Sequence, residues 1–308
     1  MAPLDYPEAI SVTEVCTRDG FQNHKTFIPT EVKIEILDAL AALGFAKMEV
    51  TSFVSPKAIP QMVDAAEVMS HFQKKWGDRI AGFALVPNRK GAELAIRNGA
   101  EALVFVLSAS EEHNKANTNR TIEESLSELQ DICRDFGGLE ISVGLGTSFE
   151  CPFSGTVAPE KVTRVIDAAF EYGVDHITIS DTTGSANPRG LERTLEIVRS
   201  RYESAPFALH LHDTHGMGLA NALTAMNMGF TTFETATAGM GGCPFAPGAS
   251  GNLATEDLVN MAGRMGIDTG IDLIELLRVS REIAHKLALP WKSHVASTRI
   301  GLDEGVYC

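Results

Sequence analysis

"ISVTEVCTRDGFQN", residues 10–23, decides between two architectures. Its first half, "ISVTEVC", is a short β-branched run that reads as a strand. The residues just after that strand discriminate between the folds. An open doubly wound sheet usually carries a glycine-rich fingerprint after its first strand. "CTRDGFQN" holds a single glycine and is not such a fingerprint. The run ends instead on the charged pair Arg18–Asp19, as a parallel barrel does where its strands carry reactive side chains at their C-terminal ends.

Similar runs recur outward from this point. They are "AKMEVTS" (46–52), "RIAGFALV" (79–86), "ALVFVLS" (102–108), "EISVGLG" (140–146), "HITISD" (176–181), "FALHLHD" (207–213) and "TTFETATAG" (231–239). Amphipathic stretches such as "PTEVKIEILDALAALG" and "TIEESLSELQDICRDFG" lie between them. In the first, Val32, Ile36, Leu37 and Leu40 fall at helical spacing and Gly44 is a natural stop. Eight strand-then-helix units within about 265 residues predict an α/β fold, a (β/α)8 TIM barrel. The barrel is expected over about 8–267. From about 268 to 308 the pattern turns to helical "GIDLIELLRVSREIAHKLAL" and an irregular tail ending in Cys308. This predicts a C-terminal helical extension packed on the barrel. No Pro/Ser linker or low-complexity run marks a second domain, so residues 1–308 are expected to form one.

Composition narrows the function. Of the 308 residues, 44% are hydrophobic and 21% charged, an ordinary globular balance. No apolar run reaches the roughly 18 residues of a membrane span. A formal charge of -14 argues against a nucleic-acid partner, which needs a basic face. An anionic small molecule is still compatible, because a few local Lys and Arg residues outweigh the global sign. The cysteines, Cys16, Cys133, Cys151, Cys243 and Cys308, are odd in number and form no C-x-x-C pair. That fits a reducing compartment rather than a disulfide framework. The start "MAPLDYPEAISVTEV" shows neither a secretory signal nor an Arg/Ser-rich presequence, so a cytoplasmic location is expected.

Reactive residue types gather at the predicted strand ends. In "LHLHDTHG" (209–216), strand alternation puts His210 and His212 on one face and Leu209 and Leu211 on the other. Strand one ends in Arg18 and Asp19, strand two carries Glu49, and strand six ends in Asp181–Thr182. After strand eight comes "GMGGCPFAPGASGNLATEDL" (239–258), with Cys243, Asn252 and Glu256. Buried charges are costly unless they are paired or bound to metal, so packing alone is a poor account of this pattern. Asp19, His210 and His212 can converge on one divalent cation, with the Asn252 carbonyl oxygen added from the loop. Two imidazoles, a carboxylate and an amide oxygen suit Mn²⁺ or Mg²⁺ better than a closed zinc site. Asp181 reads equally well as a cap for the following helix. Met217, Met226 and Met228 read as packing residues, and Cys308 as a terminal thiol.

"RDGFQN", "EVTSFVSPKAIPQM", "HLHDTHG", "GGCPFAPGASGN" and "LATEDL" together resemble the 3-hydroxy-3-methylglutaryl-CoA (HMG-CoA) lyases of the TIM-barrel metallolyase superfamily, over roughly residues 10–295. The resemblance implies a divalent cation (Mg²⁺ or Mn²⁺) held by Asp19, His210, His212 and Asn252. It implies that Arg18 faces the thioester oxygen, that Glu49 is an essential carboxylate holding Arg18, and that Cys243 on a mobile loop helps protonate the departing carbanion. It also implies Asp19 or a water as base, with His210 as relay. The implied reaction is retro-Claisen cleavage of HMG-CoA to acetyl-CoA and acetoacetate, in a homodimer. Citramalyl-CoA or a longer-branched 3-hydroxyglutaryl-CoA is the alternative substrate, and an aldolase or condensing synthase the alternative activity. Lys25, Lys57, Arg89 and Lys292 are candidate coenzyme A anchors. Where the family commonly has Leu, Glu, Tyr and Gln, this chain has Phe21, His24, His215 and Met217. Those neighbours are expected to shape the acyl pocket. His24 and His215 themselves read as supporting or surface residues.

Overall fold

Parallel strands are covered on both faces, so their sequences are apolar nearly throughout. In Ala102–Ser108, Leu103, Phe105 and Leu107 are fully buried under helices, each contributing about 1.5–3 kcal/mol by leaving water. Val104, between them, turns to the lumen of the sheet, as do Thr13, Glu49, Phe83, Ala208 and Glu234 on other strands. The computed structural model describes residues 6–242, 251–290 and 292–298. Within them, Ser11–Glu14, Lys47–Ser52, Ala81–Val86, Ala102–Ser108, Glu140–Gly146, His176–Asp181, Phe207–Leu211 and Thr232–Thr235 pair in chain order. The last strand closes on the first in parallel register, Ser11 beside Thr232 and Glu14 beside Thr235. The fold is the (β/α)8 barrel that the spacing predicted.

The helices begin and end where local chemistry dictates. Thr30–Ala41 buries Ile36, Leu37 and Leu40, and the chain turns away at Gly44 with φ +88°. Ile122–Phe136 starts with a capping box between Thr121 and Glu124. The extension is helical, as expected. Leu273–Lys286 packs against Thr30–Ala41 and Thr255–Arg264. Asp257 accepts hydrogen bonds from Ser293 Oγ and the backbone N–H groups of His294 and Val295, which pins the short helix His294–Ser297.

Three predicted strands overran. The first stops at Glu14, because the Val15 carbonyl accepts from the N–H groups of Arg18, Asp19 and Gly20 in a π-type turn, Cys16–Gly20. The seventh stops at Leu211, and His212 is joined instead by an isolated bridge to Asn252. The eighth stops at Thr235 and is followed by a 3₁₀ turn, Thr237–Gly239, in which Ala238 has φ +62°. The seam between first and last strands is fastened by Glu14. Its buried carboxylate accepts from the N–H groups of Cys16 and Thr237 and the hydroxyls of Thr237 and Thr255. Among the described residues no helix is long and apolar enough to cross a membrane.

Candidate metal centre and active site

The π-type turn after the first strand lifts Arg18 and Asp19 to the C-terminal mouth of the barrel, and both are buried there. Asp19, His210 and His212 each offer a ligand atom, all within 4.8 Å of one another. His210 Nε2 lies 3.1 Å from His212 Nε2, a contact that a proton or a cation must mediate. Asn252 joins them through Nδ2, which donates to Asp19 Oδ2 at 2.7 Å and to the Met240 carbonyl at 2.8 Å. Asn252 Oδ1 and His212 Nδ1 are buried without a hydrogen-bond partner among the described residues. Two imidazole nitrogens and a carboxylate oxygen within 4.8 Å of one another, with a buried amide oxygen left without a partner beside them, fit a divalent cation.

Glycine makes the approach possible. At Gly20 a Cβ would stand 2.8 Å from Met240 Cβ. At Gly241, whose φ is +118°, a Cβ would stand 2.4 Å from Asn252 Nδ2 and 2.9 Å from Asp19 Oδ2. The chain leaving the eighth strand can therefore lie directly on the carboxylate.

Arg18 is clamped on two sides. Its Nε and Nη2 bond Glu49 Oε2 at 2.6 and 2.5 Å, and Nη1 bonds Asp19 Oδ1 at 2.5 Å. Burial opposes the guanidinium charge, but Glu49 and then Asp19 outweigh it and push the Arg18 pKa up. Burial pushes Glu49 up to about 7, against the pull of Arg18 and helped by Glu234 and Asp19. Burial pushes Asp19 the same way, but Arg18 and the two histidines prevail and hold it below its ordinary value. Burial and the neighbouring His210 drive His212 down to about 3, so its ring is neutral and free to bind a cation. Burial also opposes charge on His210. There Glu234, hydrogen-bonded to Nδ1 at 3.0 Å, reverses the effect and raises the pKa.

The predicted residues therefore divide. Arg18, Asp19, Glu49, His210, His212 and Asn252 come together. Cys243 lies outside the described residues. Lys25 and Lys57 are exposed on loops at the mouth side. Lys292, brought back by the extension, reaches the Gly241 carbonyl at 3.4 Å. Arg89 is occupied by Asp135 and Glu93 on the outer surface. Asp181 is not the cap of the next helix, a role taken by Asn187. It accepts from the N–H groups of Gly184 and Ala186 and so shapes the turn between them.

The neighbours expected to shape the acyl pocket are placed as follows. Phe21 is buried in the core, and His24 is tied to the carbonyls of Thr26 and Leu287. His215 is exposed, and its backbone N–H binds the Gly184 carbonyl. Met226 and Met228 pack as expected. Sequence reasoning missed Glu234, an acid at an inward position of a strand, which was its one visible signal.

A sequence model described as HMGL-like matches residues 9–283. Hydroxymethylglutaryl-CoA lyase YngG of Bacillus subtilis is 41% identical over 292 residues, 94% of this chain and 97% of that protein. The cytoplasmic 3-hydroxy-3-methylglutaryl-CoA lyase of Mus musculus is 39% identical over 292 residues, 94% of this chain and 84% of the relative. A solved HMG-CoA lyase from Acinetobacter baumannii, in complex with coenzyme A and 3-methylmalate, superposes with a TM-score of 0.91. It is 39% identical and covers 98% of each chain.

Proposed function

Because this chain belongs to the HMGL-like family, among the HMG-CoA lyases, we propose that it cleaves HMG-CoA to acetyl-CoA and acetoacetate at the barrel mouth. It is a carbon–carbon lyase. The observation that carries the proposal is the buried Asp19–His210–His212 cluster, with Arg18 held beside it by Glu49. The solved relative holding coenzyme A supports a CoA thioester as substrate.

Asp19, His210, His212 and Asn252 would hold the cation. When bound, Mg²⁺ or Mn²⁺ supplies Lewis acidity that lowers the pKa of the substrate 3-hydroxyl. Asp19 or a water accepts the hydroxyl proton; His210, expected from the resemblance as a relay, has Nδ1 engaged by Glu234 and Nε2 directed at the cation and so serves as a ligand. The C2–C3 bond then breaks: C3 becomes the ketone of acetoacetate, and the electron pair goes to C2 as the acetyl-CoA enolate. Arg18, fixed by Glu49 and charged throughout, faces the thioester oxygen where that charge develops. Cys243 delivers a proton to C2. Lys25, Lys57 and Lys292, on mouth-side loops or at the lip, anchor the coenzyme A phosphates.

Citramalyl-CoA, which carries its carboxylate directly on C3, and a longer-branched 3-hydroxyglutaryl-CoA are the alternative substrates, and the HMG-CoA lyase relatives favour HMG-CoA over both. We further propose a homodimer in the cytoplasm, to be checked by light scattering and cell fractionation. Named relatives include both cytoplasmic and mitochondrial forms.

Incubation with HMG-CoA and Mn²⁺ or Mg²⁺ is expected to release acetyl-CoA, and EDTA to stop it. A folded, metal-replete sample that cleaves no 3-hydroxyacyl-CoA overturns the proposal. A panel of such thioesters ranked by kcat/KM tests the preference for HMG-CoA.

A further inference from the structure

Glu234 stands directly beside His210 in the pairing of the last two strands. Its two oxygens are separately engaged. Oε2 lies 3.0 Å from His210 Nδ1, and Oε1 accepts from the Thr178 hydroxyl at 2.7 Å. An ionised carboxylate only accepts hydrogen bonds, so Nδ1 must carry a proton. In the neutral ring the lone pair is then left on Nε2, the nitrogen that faces His212. Thr178 anchors the carboxylate from the sixth strand, so three adjacent strands fix the orientation of one ring.

Below this point the lumen is hollow. A cavity of about 200 Å³ enters from the N-terminal ends of the strands, on the side opposite the mouth. Its outer rim includes Lys47 and Glu140, whose side chains are 37% and 38% exposed. Its inner end includes Glu49 and Glu234, at 5% and 15%. The carboxylate that holds His210 is therefore approached from the far end of the barrel, independently of substrate.

We propose that Glu234 is the positioning residue of the metal centre: it selects the Nδ1-protonated form of His210 and aims Nε2 at the cation, and a small carboxylate entering through the lumen can take its place. This rests on the metal-centre proposal above. Partners of this kind typically change metal affinity about 10–100-fold when removed.

Two measurements separate the proposals. In metal-free protein at alkaline pH, where the His210 ring is neutral, imidazole ¹⁵N resonances report its tautomer without any reaction. Wild type is expected to be Nδ1-protonated. Glu234→Gln, whose amide both donates and accepts, is expected to show a mixture. Titration with Mn²⁺ followed by electron paramagnetic resonance is expected to show about 10–100-fold weaker binding in Glu234→Gln and Glu234→Ala. Formate is expected to restore most of the loss in Glu234→Ala and none in Glu234→Gln, where the space is filled. Glu234→Asp is expected to keep the wild-type tautomer.

A His210 tautomer unchanged in Glu234→Gln, or Mn²⁺ affinity within twofold of wild type, overturns the assignment. So does a folded Glu234→Ala protein whose weakened binding formate leaves untouched. If Glu234→Ala does not fold, the isosteric Gln variant still decides the matter. Wild type that binds no Mn²⁺ overturns the metal centre itself, whereas the tautomer judges Glu234 in either case.

Discussion

Gly241→Ala is the sharpest perturbation of the mouth, because one methyl group would enter the space between two proposed ligands. The Cβ would lie 2.4 Å from Asn252 Nδ2, whereas ordinary contact begins near 3.4 Å, so relief takes a shift of 1.0 Å, the difference between them. The second contact, 2.9 Å from Asp19 Oδ2, blocks one direction of escape. The backbone adds strain, since φ +118° costs a residue with a side chain about 1–3 kcal/mol. That strain is expected to lower the unfolding midpoint of the EDTA-treated protein by a few degrees, at about 2–4 °C per kcal/mol. Displacing a ligand by an ångström is expected to weaken Mn²⁺ binding at least tenfold, or about 1.4 kcal/mol, with a larger fall in kcat/KM. Calorimetry with Mn²⁺, differential scanning of the metal-free protein and acetyl-CoA release measure the three effects. Gly138→Ala is the control, since its Cβ meets nothing within 4 Å. Mn²⁺ affinity within twofold of wild type in a folded Gly241→Ala protein would refute Asn252 and Asp19 as ligands of the cation.

His212→Ala is expected to abolish Mn²⁺-supported turnover while the metal-free protein stays folded with a small loss in its unfolding midpoint, because Nδ1 has no hydrogen bond to lose among the described residues and Nε2 faces only His210. Arg18→Lys cannot reproduce the fork that grips Glu49 and Asp19 together. A drop in kcat of about 10²–10³ with a smaller change in KM is expected, and steady-state kinetics check it. Glu256 supplies a pH test away from the cluster. Burial raises its pKa from 4.5 to about 7, despite hydrogen bonds from Ser280 and the Ala238 N–H. A raised folded pKa means that its contribution is intact below about 4.5 and is lost as pH climbs through about 7. Relative to wild type, Glu256→Gln should therefore gain stability at pH 8, by up to about 3 kcal/mol, and little at pH 5. Urea unfolding at both values checks this, and equal shifts at both would sink it.

The barrel was legible because strands covered on two sides must be apolar almost throughout, which "ALVFVLS" shows without ambiguity. Strand ends were less so. Nothing in the hydrophobic pattern of "ISVTEVC" announces that the Val15 carbonyl will collect three donors and curl the chain away. Asp19, His210 and His212 could be found because chelating types at strand ends have no cheap packing role, and Asn252 was added from the loop after the eighth strand. Glu234 escaped notice because in "TFET" an acid at an alternate position looks like any solvent-facing residue, and only barrel closure turns that face inward. Asp181 read equally well as a site residue and as a helix cap because sequence distance does not show that a separate turn, ending at Asn187, stands between it and the helix. Proximity of Phe21 to Arg18 in sequence says nothing of its direction in space, and its burial in the core was not legible.

The ring is completed by its oldest and youngest members. Glu14 meets Thr235, Thr237 and Thr255 only after more than two hundred further residues have left the ribosome, at about 5–20 residues per second. Until then the first strand has a bare edge on one side, and the carboxylate fastener is an unmatched buried charge in waiting. Nascent chains stalled before residue 232 would therefore be the most prone to clump, and a chaperone that shields that edge would aid this molecule most late in its synthesis.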